Sequence, residues 1–121
     1  MPFSITRDDI AKLNTDAIVN STGGLSILGG AEASISQAGG PDFITAREAL
    51  GELLVGETKV TPGFNLPSKY VIHVRGPIHK NGSNLEISLL ELVYLDALQT
   101  AEKLGCQSIA FPLIGSGAHN F

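Results

Sequence analysis

The chain has 121 residues, of which 43% are apolar and 17% charged, which fits one folded domain spanning residues 1–121 and excludes a disordered polar chain. A formal net charge of -4 lacks the basic footprint that direct DNA or RNA binding needs, so no nucleic-acid partner is expected, although backbone N–H groups can still hold the phosphates of a nucleotide. The single cysteine, Cys106, excludes an intramolecular disulfide; with no apolar run of the ~20 residues that span a membrane and no secretion-type N-terminus, an intracellular, cytoplasmic protein is expected, or a nuclear one in a eukaryotic source.

In chain order, residues 3–6 form a short candidate strand, and residues 17–20 (Ala-Ile-Val-Asn) read as a strand buried on both faces. Asp16 before it and Ser21-Thr22-Gly23-Gly24 after it are turn chemistry. A helix is expected over 31–38, ending at Gly39-Gly40. A second starts at Pro41, which suits the first helical position, with Asp42 at the positive end of the dipole. Phe43, Ala46, Leu50 and Leu53 or Leu54 continue it at helical spacing, with Gly56 as the stop. Residues 58–61 and 70–74 read as strands, the latter too continuously apolar for an exposed edge. The longest helix is expected over 84–104, opened by a capping box of Ser83 and Glu86 and closed by Gly105. Leu85, Leu89, Leu92, Val93 and Ala97 mark its apolar face, and residues 108–111 form the last strand.

Helices alternating with apolar strands predict a layered α/β domain with a mainly parallel or mixed sheet. Ligands of such sheets sit beyond the carboxyl ends of the strands. Two of the glycine-rich turns follow predicted strands: Gly29-Gly30-Ala31, which opens into the helix at Glu32, and Gly115-Ser116-Gly117. A glycine turn at a helix N-terminus presents several N–H groups to an anion, and the helix dipole adds to the field. Neither turn has the lysine of a nucleoside-triphosphate loop or the spacing of a dinucleotide fingerprint. The three histidines and one cysteine show no zinc-ligand spacing, so no metal is expected. His73, inside an apolar strand, reads as a hydrogen-bonded core residue, His79 as a solvated turn residue, and Cys106 as a small residue before a strand.

Several stretches together resemble the macro domain family. Asp8-Asp9-Ile10 resembles its Gly-Asp-Ile segment, residues 16–20 its second strand, and Leu28-Gly29-Gly30-Ala31-Glu32 part of its first ligand loop. Gly63-Phe64-Asn65-Leu66-Pro67-Ser68-Lys69-Tyr70-Val71-Ile72-His73 is similar to its Gly-Tyr-x-Leu-Pro-x-Lys-Tyr-x-Ile-His stretch, and Ser108-Ile109-Ala110-Phe111-Pro112 with Gly115-Ser116-Gly117 to its late strand and second phosphate loop. The resemblance implies a three-layer α/β/α sandwich that binds ADP-ribose, free or on a modified protein, with no other cofactor. By resemblance, Asp9 accepts from the adenine amino group and Ile10 contacts the same ring. Asn20 is the surviving first asparagine of the family's Asn-Ala-Ala-Asn. Gly29, Gly30 and Ala31 line one side of the diphosphate, and Ile114, Gly115, Ser116, Gly117 and Ala118 the other. His119 stands where the family has an aromatic residue beside the distal ribose.

Two departures bear on catalysis. Gly23 replaces the asparagine that orients the distal ribose in hydrolytic members, and Glu32 replaces their water-activating aspartate. Misplacement by about 1 Å can cost ~100-fold in rate. The expectation is therefore a binding module, closer to the macro-histone type. The alternatives are an ADP-ribosyl hydrolase or O-acetyl-ADP-ribose deacetylase with Glu32 as general base, and a degenerate domain serving as an assembly surface. The chain ends at Phe121, before the family's last helix and strand, so a C-terminally shortened domain, with a homodimer covering the open edge, is also an expectation.

Overall fold

Residues 17–19 carry apolar side chains on both faces of the backbone, and the structure puts them at the centre of a sheet. The computed structural model describes residues 9–22, 31–76 and 84–112. Strand β1 (Ala17–Ser21) pairs in parallel with β3 (Tyr70–Val74) on one side and with the short β4 (Ile109–Ala110) on the other. Strand β2 (Thr58–Pro62) runs antiparallel to β3 at the edge, giving the order β2-β3-β1-β4. Pro62 sits at the end of this edge strand, where its missing N–H costs no central ladder bond. The predicted strand at 3–6 lies outside the described residues.

The alternation of each central strand divides the core in two. Ala17, Val19, Ile72 and Val74 face helix α2 (Asn84–Lys103), where they pack on Val93, Ala97 and Ala101. Ile18 and Val71 face the opposite way, onto Ile35 and Phe43 of α1 (Ala31–Ala49) and onto Ile10 and Ala11 of a single 3-10 turn, Ile10–Lys12. Helices therefore cover both faces, the expected α/β/α sandwich. Burying one such aliphatic or aromatic side chain contributes roughly 1.5–3 kcal/mol.

Helix α1 is two helical segments meeting at Gly40, whose φ of 86° and ψ of -176° lie outside the helical region. This is the break expected at Gly39-Gly40. Glycine suits the position because the positive φ is closed to most L-residues; a Cβ would also stand 2.6 Å from Asn65 Nδ2, the end of an exposed side chain that can move aside.

Two details differ from the sequence reading. The second segment of α1 stops at Ala49 and does not continue to Leu53 or Leu54. The Leu50 and Gly51 N–H groups bond back to the Arg47 and Glu48 carbonyls at 3.2 and 3.0 Å, and Gly51 turns the chain at φ 72°. Leu53 is buried all the same, from the extended chain after the helix, so its helical spacing was coincidental. In α2 the buried face is Val93, Ala97 and Ala101, flanked by Leu90 and Tyr94. Leu85 and Leu92, assigned to the buried face by periodicity, are 70% and 46% exposed.

Candidate functional site

Because β1 and β4 are neighbours and parallel, their carboxyl ends point the same way. Ala17 stands opposite Ile109 and Ile18 opposite Ala110. The carboxyl ends of both strands thus lie on one rim of the sheet, the location that open α/β sheets use for ligands. The β1 ladder extends past Ser21: the Thr22 N–H donates to the Val74 carbonyl at 2.8 Å. Helix α1 then begins at Ala31. The predicted ligand-loop residues Gly29, Gly30, Ile114, Gly115, Ser116, Gly117, Ala118 and His119 lie outside the described residues.

Among the described candidates, Asp9 is exposed and caps the 3-10 turn, its Oδ1 accepting from the Ala11 N–H at 3.0 Å. Ile10 is buried in the cluster that joins α1 to β1 and includes Ala110 at its margin. The segment with Asp9 therefore rests on the same side of the sheet as α1.

Asn20 is fully buried on that side. Its Nδ2 donates to His73 Nδ1 at 3.2 Å, and its Oδ1 has no partner among the described residues. His73 Nε2 lies 2.8 Å from Thr61 Oγ1, which fits the neutral tautomer carrying its proton on Nε2 and donating to the hydroxyl. The ring also stacks on Phe43, centroids 5.8 Å apart. Burial, and secondarily the positive charge of Arg47, lower its pKa to about 3. His73 is a neutral core residue, as its apolar strand suggested.

Glu32 occupies the first turn of α1 yet is only 2% exposed. Its Oε1 accepts from Arg47 Nε at 3.3 Å, and Arg47, 1% exposed, also donates from Nη2 to Thr22 Oγ1. A carboxylate held this way is not a solvent-facing base. Arg47 was absent from the sequence reading. The signal was available: it stands four residues after Phe43, on the face that periodicity assigns to the core, and a cation there requires an acidic partner.

Other polar groups do not add to the rim. Cys106 is half-buried, and its thiol pKa is raised by burial and then by the Asp16 carboxylate, against the opposing effect of Lys69. A cavity of about 240 Å³, lined in part by Leu98, Ala101, Cys106 and Ile109, lies between α2 and β4 and is mostly apolar. Ligand sites need a few convergent polar groups as well as concavity, so the rim is the stronger candidate. Among the described residues no cluster of His, Cys, Asp and Glu could hold a metal, and no helix is long and apolar enough to cross a membrane.

The family profile described as Macro domain matches residues 19–121. The chain belongs to the macro domain family. A macro domain-containing protein of Lactiplantibacillus plantarum is 41% identical over 121 residues, covering 98% of this chain and 70% of that protein. A protein of Citrobacter koseri named O-acetyl-ADP-ribose deacetylase is 37% identical over 123 residues, covering 97% of this chain and 69% of that protein. The Oceanobacillus iheyensis macrodomain, solved with ADP, superposes with a TM-score of 0.87 at 35% identity, over 94% of this chain and 64% of that one. A mutant of the same macrodomain, solved with ADPR, gives 0.87 at 34% identity, over 94% and 66%. This macro domain thus spans about two thirds of the length of that solved macrodomain.

Proposed function

We propose that this macro domain binds ADP-ribose, free or attached to a protein, at the carboxyl rim of β1 and β4. The observation that carries the reading is the parallel β1–β4 pair. It puts the carboxyl ends of two adjacent strands on one rim beside the start of α1, and Gly29-Gly30 follow the first strand in sequence as Gly115-Ser116-Gly117 follow the second. In this reading the two glycine turns offer their backbone N–H groups to a diphosphate, and the helix dipole adds to their field. The O. iheyensis macrodomain, solved with ADP and as a mutant with ADPR, supports the same ligand class. In this reading Asp9 and Ile10 meet the adenine, Ala31 and residues 114–118 the diphosphate, and His119 the distal ribose.

Binding without efficient hydrolysis is the form favoured here, closer to the macro-histone type. Glu32 is committed to Arg47, and Gly23 offers no side chain to hold the distal ribose. Titration calorimetry with ADP-ribose, AMP and ATP tests the reading. Saturable heat with ADP-ribose is expected; a folded sample that gives none contradicts it.

A second reading rests on the C. koseri relative named O-acetyl-ADP-ribose deacetylase. It requires Glu32 to leave its ion pair and activate water. Turnover of O-acetyl-ADP-ribose by the native chain, abolished in Glu32→Gln, would support it; absent turnover, or equal rates in both, removes Glu32 as a base.

A further inference from the structure

Buried ion pairs are poor stabilisers: desolvation offsets much of the attraction, and a well-packed apolar pair of similar volume often does as well. The Arg47–Glu32 pair is nonetheless almost completely buried, at 1% and 2% exposure. Its placement suggests a reason. Arg47 comes from the second segment of α1 and reaches back past the Gly40 break to the first turn. There it engages Glu32 with Nε and Thr22 with Nη2. Thr22 lies just after β1 and Glu32 just after the start of α1, so the two residues bracket positions 23–30. One guanidinium therefore fixes the distance between the end of the strand and the beginning of the helix.

We infer that Arg47 is a positioning residue for the anion-binding rim: it joins the two ends of the 23–30 stretch and neutralises Glu32, so that the N-terminus of α1 can receive a diphosphate. The inference rests on the ADP-ribose reading above. A carboxylate in the first turn occupies the same helix-end field that an incoming anion needs, and uncompensated it would repel that anion. The guanidinium cancels this charge from the core side and leaves the N–H groups of the helix start to the ligand. Arginine suits the task better than lysine, because a planar fork can meet two acceptors in fixed directions and an ammonium is a point charge.

Calorimetry with ADP-ribose on the native chain, Arg47→Met, Arg47→Lys and the double variant Glu32→Gln/Arg47→Met tests the inference, with a thermal melt for each. Arg47→Met is expected to bind about tenfold or more weakly, equivalent to about 1.4 kcal/mol. The double variant is expected to recover most of that loss, since the repelling carboxylate leaves together with its partner. A merely structural role predicts that affinity follows the melting temperature through the series, so affinity lost and recovered beyond the change in melting temperature is the result that supports the inference. Should Arg47→Met not fold, Arg47→Lys carries the test, because it keeps the charge and loses the fork: weaker binding at an unchanged melting temperature supports the inference, and native affinity overturns it. A folded Arg47→Met with native affinity, or a double variant no better than the single, also overturns it while leaving ADP-ribose binding intact. Silence from the folded native chain overturns both.

Discussion

Lowering the pH from 7 to 5 should destabilise this domain through His73 by an amount that one substitution removes. The imidazole is fully buried, with its ring nitrogens engaged by Asn20 and Thr61, and its pKa falls from 6.5 to about 3. The sign follows from proton binding: below 6.5 the unfolded chain takes up a proton that the folded chain refuses until about pH 3, so stability is lost as pH falls through that window. The loss approaches about 1.4 kcal/mol per pH unit, or about 2 kcal/mol between pH 7 and 5 for this one group. With a urea slope of ~1–3 kcal/mol/M, the midpoint should move by roughly 1 M. The assay is urea unfolding of the native chain and of His73→Gln at both pH values. His73→Gln should be less stable at pH 7, because it disturbs the contacts to Asn20, Thr61 and Phe43, yet it should lack the additional acid sensitivity. His79 and His119 are present in both chains and cancel. Equal losses between pH 7 and 5 in the two proteins would refute the reasoning.

Glu32→Ala should destabilise the fold by about 3–5 kcal/mol, because the buried Arg47 guanidinium loses its counter-charge; Glu32→Gln, which keeps an acceptor, should cost less, and unfolding midpoints check both. Gly40→Ala should cost about 1–2 kcal/mol for the positive φ, read as a lowered melting temperature, since the exposed Asn65 side chain can move away from the added Cβ. Cys106 should react with a thiol-specific disulfide reagent more slowly than a free cysteine at pH 8, since burial and Asp16 disfavour its thiolate; reaction at the free-thiol rate would contradict that assignment.

The parts of the fold most legible in the sequence were those where one local rule dominates. Residues 17–20 and 70–74 are apolar at nearly every position, which leaves them no solvent face, and they became the paired central strands β1 and β3. Gly39-Gly40 before Pro41 marked a break because glycine readily takes a positive φ and proline suits a fresh helical start, and Gly40 supplies that kink. Where two rules competed, the reading failed. Leu50 and Leu53 kept helical spacing across Gly51, and the glycine prevailed: its positive φ turns the chain out of the helix between them. In α2, leucines lie on several faces, so periodicity alone could not rank them. The sheet selected the face with Ala97 and Ala101, whose small side chains let the helix approach closely.

The wiring around the proposed site was not legible in the sequence. Glycine turns after strands pointed to the rim of the sheet, and the strands that precede them, β1 and β4, are parallel neighbours. The Arg47–Glu32–Thr22 network could not be read from spacing, because its members come from positions 22, 32 and 47 and meet only through the tertiary fold. Glu32 consequently looked like a first-turn acid or a general base, and its burial against arginine changes its chemistry more than its identity suggests.

The account stands most directly on where ADP-ribose sits. A crystal structure of the chain soaked or grown with ADP-ribose should show the diphosphate against the backbone N–H groups of residues 29–31 and 115–118, with the adenine near Asp9 and Ile10. Density for the ligand elsewhere, such as the groove between α2 and β4 beside Leu98 and Ile109, would contradict it.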